Sequence, residues 1–263
     1  MNKIIVLSIL GMFLFACNKE DNLLHDSNYP TTIRALDTKI LEQKRLAFLS
    51  QNEFIASSLD EFGFCNPIES TLNSLQPPLT SPLTEPQAIE KAKKFIEQNK
   101  DYLGVVEPDK INISKAWLST GYYDGGTMWR IDTHYQKYDT IQVLFSNISI
   151  LIKNSEVNYC TGNWYPNVYI PAKFNFDQEN AKSSLKNKTV WHSDISGQRH
   201  SMEITDQALV TSKINGLKIY PIKSDDKIQL FVTWKIYVPD VFYILYIDVM
   251  TGEVIAEEPT VIS

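Results

Sequence analysis

The feature that most constrains this chain is an order of elements that occurs twice: a helical stretch, then a run of strands. Each run closes on a strand, a tight turn and a second strand. The first closing phrase is ISILIKNSEVNYCTG, Ile148 to Gly162, and the second is LYIDVMTGEVI, Leu245 to Ile255. In the first block Thr84 has the character of an N-cap, with Pro86 in the first turn and Gln87 at the capping-box position. Ala88, Ile89, Ala92, Phe95 and Ile96 then recur at helical spacing, and Gly104 is a C-terminal stop. Strand patterns follow from Ile111 to Ser119 and from Thr127 to Lys137, where Trp129, Ile131, Thr133 and Tyr135 alternate with polar residues. Thr140 to Leu144, Asn147 to Lys153 and Glu156 to Cys160 complete an antiparallel meander. In the second block Asp177 is placed to cap a helix from Gln178 to Leu185. Ala208 to Thr211 and Lys218 to Pro221 read as short strands. The long strand Ile228 to Val238 turns at Pro239-Asp240 into Phe242 to Val249, which turns at Thr251-Gly252 into Glu253 to Ala256. Thirteen Tyr, twelve Phe and five Trp suit pleated, half-buried surfaces. The expected fold is α+β: two tandem units, each a helix packed on an antiparallel β-sheet, preceded by a helical N-terminal segment.

That segment starts at Thr38. Ile40, Leu41, Lys44, Arg45, Phe48 and Leu49 mix apolar and charged residues at helical spacing, and Ile55, Leu59 and Phe62 extend the pattern to Gly63. Four prolines between Gln76 and Pro86 then rule out helix and central strand. The expected divisions are a signal peptide (1–16), a tether (17–37), a helical segment with a Pro-rich linker (38–85), a first α+β unit (86–172) and a second (173–263).

Lys3 followed by the apolar run Ile4 to Phe15 is too short to span a bilayer stably and ends in Leu14-Phe15-Ala16-Cys17. This resembles a bacterial lipoprotein signal, which implies a lipid anchor on Cys17 and a place in the cell envelope. Asn18-Lys19-Glu20-Asp21 resembles the acidic tag of surface-displayed lipoproteins, so the expected location is the outer membrane, exposed at the surface. Export leaves Cys65 and Cys160, which read either as a disulfide or as two separate buried thiols; pairing is the expectation, since an even pair outside the cytosol is often bridged. Closing so long a loop would stabilise by roughly 3–4 kcal/mol on the chain-entropy model. A net charge of −6 without a Lys/Arg cluster argues against a nucleic-acid partner. Contact with a membrane is expected through the anchor only.

From Tyr135 to Asn167 the residues resemble the fungalysin/thermolysin propeptide (FTP) motif. Its parts fall on Tyr135-Gln136, Ile141 to Val143, Ile148 to Ile152, Asn154-Ser155 and Gly162, with AIEKAKKFIEQNKDYLG as the helix before it. The family usually has Gly-Ile-Pro-Val where this chain has Thr140-Ile141-Gln142-Val143. The second block is similar to a PepSY domain: FNFDQENAKSSL as opening helix, LKIYPIKSDDKIQLFVTWKIYV as middle strands, and FYILYIDVMTGEVI as closing hairpin, with Asp248, Thr251, Gly252 and Glu253 the recognisable residues. In zinc metallopeptidases such units form a propeptide that inhibits the enzyme and assists its folding. The resemblance implies a propeptide-type module without its peptidase, whose partner is a secreted peptidase or another surface protein.

The sequence contains no H-E-x-x-H and no G-x-S-x-G, so no catalytic residue, cofactor or metal is expected. His192 and His200, flanking Asp194, read as part of a polar surface loop from Asn187 to His200 rather than as ligands. Trp129 and Trp234 sit in alternating strands and read as sheet residues. Trp164 and Trp191, in loop contexts, are the candidate ligand contacts, with Tyr123 and Tyr165 beside them. Two functions follow. The first is a non-catalytic envelope lipoprotein that binds, inhibits or assists an extracellular peptidase. The second is a surface lipoprotein that binds a glycan or peptide through loop aromatics. Asp248, without an acid or base partner, reads as a carboxylate that organises its turn.

Overall fold

The computed structural model describes residues 26–67, 82–120, 127–193 and 198–260. In chain order the elements are β1 (Thr31–Arg34), α1 (Thr38–Gln51), β2 (Ser57–Leu59), β3 (Cys65–Pro67), α2 (Glu85–Gln98), α3 (Lys100–Leu103), β4 (Ile113–Thr120), β5 (Thr127–Thr133), β6 (Lys137–Tyr138), β7 (Ile141–Val143), β8 (Ile148–Lys153) and β9 (Glu156–Gly162). They continue as α4 (Gln178–Ser183), β10 (Thr189–Ser193), β11 (Arg199–Glu203), α5 (Asp206–Thr211), β12 (Lys213–Lys223), β13 (Lys227–Val238), β14 (Tyr243–Asp248) and β15 (Val254–Pro259). The fold is α+β, with antiparallel sheets and few helices.

The first sheet has the order β4-β5-β8-β9. Its inner face carries the cross-strand row Ala116, Ile131, Ile150 and Cys160. Amphipathic α2 lays Ala88, Ala92, Phe95 and Ile96 on that face, forming one core. The helix starts where its caps require: Gln87 Oε1 accepts from the Thr84 backbone N–H at 2.9 Å. It breaks at Asn99, resumes as the one-turn α3, and stops at Gly104, whose φ is +70°.

The N-terminal helix is shorter than its apolar pattern predicts. It ends at Gln51, because Asn52 turns its side chain back to the Phe48 carbonyl (2.8 Å). Residues predicted to continue it form the hairpin β2–β3, turned by Gly63. The hairpin closes the β9 edge of the first sheet, where Ser57 Oγ donates to the Cys160 carbonyl (2.7 Å) and accepts from the Cys160 N–H (2.9 Å).

The second sheet has the order β15-β14-β13-β12-β7-β6, with β1 on β13. Its core includes Leu245, Ile247 and Val249 with Ala181 and Leu185 from the α4 region and Ala208 of α5. Three features depart from two clean tandem units. First, β6 and β7 leave the expected meander: β7 pairs in parallel with β12, placing Val143 opposite Ile219 and inside the second core. Second, the expected tether is folded from residue 26 onward, and β1 pairs with the first part of β13 while β14 pairs with the rest. A strand as long as β13 would otherwise leave half an edge unpaired. Third, Ala208 to Thr211, predicted as a strand, belongs to α5, because Thr205 Oγ1 caps the turn by accepting from the Ala208 N–H (3.2 Å). Asn187 to His200, predicted as irregular, contains β10 and the start of β11, which pair as a hairpin. Phe62 and Phe64 pack in the second core while Leu59 and Cys65 pack in the first, so the small hairpin ties the two together.

The closing turn is organised by Asp248, which is 1% exposed. Its carboxylate accepts from the Thr251 hydroxyl (2.8 Å), from the Thr251 and Met250 N–H groups (3.2 and 3.3 Å), and from the hydroxyl of Tyr29 at the N-terminal end of the described chain. The Tyr29 oxygen also accepts from the Val232 N–H at 2.9 Å, filling the joint between β1 and β14 along β13. Burial raises the Tyr29 pKa well above the ordinary phenol value, and the charge of Asp248 raises it further. Burial also raises Tyr165, and burial followed by Glu258 raises Tyr246. A pKa raised in the folded state means that the stabilisation is fully present below the unfolded value of about 10 and is lost as pH rises through the folded value. Urea midpoints measured at pH 8 and pH 11 are therefore expected to differ, with the pH 11 midpoint lower; equal midpoints would show that these hydroxyls ionise freely.

Candidate functional site

The outer face of the first sheet is the first candidate. Residues alternate between the two faces of a strand, so the positions next to the inner apolar row point the other way. They form the row Trp117, Arg130, Leu151 and Tyr159, one residue from each strand. The neighbouring row is Lys115, Asp132, Ser149 and Thr161. The α2 helix packs on the inner face, and Trp117 is 38% exposed on the outer one. Two cations lie over its ring, with Lys115 Nζ 3.9 Å and the Arg130 guanidinium 5.1 Å from the centroid. Asp132 fixes Arg130 at 3.0 Å and also accepts from the Ser149 hydroxyl. The row thus presents an indole, an aliphatic centre and a phenol ring on a rigid sheet. Sequence reading did not single out Trp117. The signal was present in the Lys115–Trp117 spacing, which puts both on one face of a strand.

The second candidate is a cleft of about 620 Å³ at the end of the sheets. Trp164 lines it together with Val106, Asn112, His134, Tyr135 and Asn167. Its floor is fixed by Gln136, which is 4% exposed. The Gln136 side chain accepts from the Tyr165 N–H (2.9 Å) and donates to the Tyr165 carbonyl (2.6 Å), and its own N–H donates to Ser146 Oγ (2.9 Å). The Tyr138 hydroxyl donates to the same Tyr165 carbonyl at 2.5 Å. In its wall the His134 N–H donates to the Asn112 carbonyl at 2.9 Å.

The structure separates residues that the sequence grouped. Trp191, 55% exposed on β10, is not among the residues lining the Trp164 cleft, so the two tryptophans do not share it. Tyr165, expected as an exposed contact, is 3% exposed and packs edge-to-face on Phe64. Trp129 and Trp234 are buried sheet residues, and each indole N–H donates to a backbone carbonyl: Leu83 (3.0 Å) and Phe176 (2.9 Å). His192 and His200 are cross-strand partners in the β10–β11 hairpin rather than loop residues. Among the described residues no group of three or more His, Cys, Asp or Glu could hold a metal ion. Cys17, Tyr123 and Asp194 lie outside the described residues.

Cys65 and Cys160 are brought together, but as free, buried thiols instead of the expected disulfide. The Cys65 thiol donates to the Cys160 carbonyl at 3.4 Å. Burial, and then the neighbouring Cys65 thiol, push the Cys160 pKa well up. Both side chains are buried in the first core, at the β3–β9 contact.

No family model matches the chain, and a comparison with curated proteins found no match. Among solved structures it is similar to the Bacillus megaterium YpeB C-terminal domain, with 13% identity over 87% of this chain and 99% of that one and a TM-score of 0.31. A likeness this loose carries no conclusion about function. No helix among the described residues is long and apolar enough to cross a membrane.

Proposed function

We propose that this protein is a non-catalytic binding module of the bacterial cell envelope, anchored through Cys17, which docks a secreted peptidase on the outer face of its first sheet. The observation that supports this reading is the Trp117–Arg130–Leu151–Tyr159 row. Trp, Tyr and Arg are the residue types that dominate binding energy at protein interfaces, and here the indole is pre-positioned by Lys115 and Arg130. Holding the anchor in place before contact reduces the ordering entropy that association costs. The two cations on an otherwise acidic chain favour a partner surface that is apolar with an acidic rim. The FTP- and PepSY-like segments supply the class of partner: in the enzymes they resemble, such units bind a zinc metallopeptidase.

Protein lacking residues 1–17 is titrated against the metallopeptidases secreted by its own cell. Binding is read by surface plasmon resonance, and activity is read on a quenched fluorescent peptide. The wild-type chain should bind and change the activity. Trp117→Ala and Arg130→Ala should each weaken binding by about 30-fold, the equivalent of roughly 2 kcal/mol for an interface anchor. Both residues are exposed, so their removal leaves the cores intact. Wild-type protein that neither binds nor alters activity, or variants that bind as well as wild type, would reject the proposal.

A further inference from the structure

From the cleft beside Trp164 we infer a second binding site, independent of the sheet face, that takes a neutral oligosaccharide. Its volume of about 620 Å³ lies within the range of roughly 300–1,000 Å³ usual for small-ligand sites. Tyr135, 45% exposed, and the half-buried Trp164 supply ring surface to the same space. A sugar ring has a face of C–H groups that packs on an aromatic ring, and a rim of hydroxyls that both donate and accept.

The polar lining matches that rim. Asn112, Asn167 and His134 each offer a donor and an acceptor, the pairing a hydroxyl uses. The charged lining is balanced: Glu107 and Asp139 against Lys110 and Lys137. Glu107 and Lys110 already satisfy each other at 2.6 Å. An acidic or basic ligand therefore gains no net attraction from the walls, and a neutral one loses nothing.

A peptide suits the cleft less well. Peptides captured as added strands need a run of free backbone groups along a sheet edge. The edge strand at this cleft, β6, is two residues long and already pairs with β7. The cleft is also built before any ligand arrives. The Gln136–Tyr165–Tyr138 hydrogen bonds fix its floor, and the Trp164 backbone packs close on Gly104, where a Cβ would stand 1.9 Å from the Trp164 carbonyl. A preformed site binds a rigid ring without ordering costs of its own.

The test uses the chain without residues 1–17 and isothermal titration with cellohexaose, maltohexaose, xylohexaose and chitohexaose. A hyaluronan hexamer serves as the acidic comparator and an unstructured peptide pool as the peptide comparator. At least one neutral hexaose should bind, and Tyr135→Ala should weaken it by about tenfold or more, as for loss of a contacting aromatic ring. Trp164→Phe should retain most of the affinity, and Trp117→Ala should leave it unchanged. Tyr135 is exposed, so an unaltered melting curve for Tyr135→Ala separates lost contact from lost fold. Binding of none of the neutral hexaoses overturns the inference. So does equal binding of the hyaluronan hexamer, binding of the peptide pool instead, or an affinity indifferent to Tyr135→Ala. Failure here leaves the peptidase proposal standing, since that reading rests on Trp117 and Arg130.

Discussion

Asp248→Ala is expected to lower the unfolding free energy by about 3 kcal/mol. The carboxylate is 1% exposed, and removing it strands the donors that now converge on it: the Tyr29 and Thr251 hydroxyls and the Met250 and Thr251 N–H groups. Hydrogen bonds to a charged acceptor contribute roughly 1.5–3 kcal/mol, and a buried donor left without a partner costs its full desolvation. The change also frees Tyr29 from the joint between β1 and β14, so the N-terminal strand should loosen along with the turn. For a chain of this size the loss corresponds to a fall in Tm of about 6–12 °C. Asp248→Asn keeps one acceptor oxygen and should lose about half as much. Thermal melts of the two variants decide the matter: wild-type-like melting of Asp248→Ala would mean that the turn holds without its carboxylate. The residue that sequence reading assigned to turn organisation has that role, and it also secures a segment more than two hundred positions away.

Gly104→Ala is expected to cost about 2–4 kcal/mol, from two separable causes. The left-handed backbone at φ +70° accounts for roughly 1–2 kcal/mol once a Cβ is present. The remainder is steric: the new Cβ would meet the Trp164 carbonyl at 1.9 Å and a Phe64 ring carbon at 2.9 Å, and the nearer of these is backbone that cannot rotate away. Gly104→Asn separates the two, since asparagine tolerates the left-handed region but carries the same Cβ. If the clash dominates, the Asn variant should unfold at nearly the same urea concentration as the Ala variant. If it melts like wild type, backbone conformation is the whole cause. Either substitution displaces Trp164 and should weaken any oligosaccharide bound in its cleft.

Both cases show how far local signals reach. Gly104 was legible as a helix stop, because a C-terminal stop depends on the residues around it in the chain. The reason that no other residue fits lies in Trp164, which the chain reaches only after the whole first sheet. Sequence reading found Trp164 but could not pair it with Tyr135 and His134: it had them in a strand that ends at Thr133, and a loop residue such as Trp164 carries no period to place it. It joined Trp164 to Trp191 on chemical type alone, and the fold puts Trp191 on a separate hairpin. Trp117 was passed over for the opposite reason: alternation says which residues share a strand face, not which face a helix will cover.

The sequence by itself determined the α+β class and the capped starts of α2 and α4. These follow from periodicity and caps, which act over a few residues. Only the tertiary structure decided which strands pair. Thr31–Arg34 left the expected tether to cover the first third of β13, Ile141–Val143 left the meander for a parallel partner in β12, and Ser57–Leu59 left the helix for a hairpin against β9. A backbone edge pairs with whatever strand the completed fold brings to it. That choice is made by hydrogen bonds and buried area between segments far apart in the chain, and no local pattern encodes it.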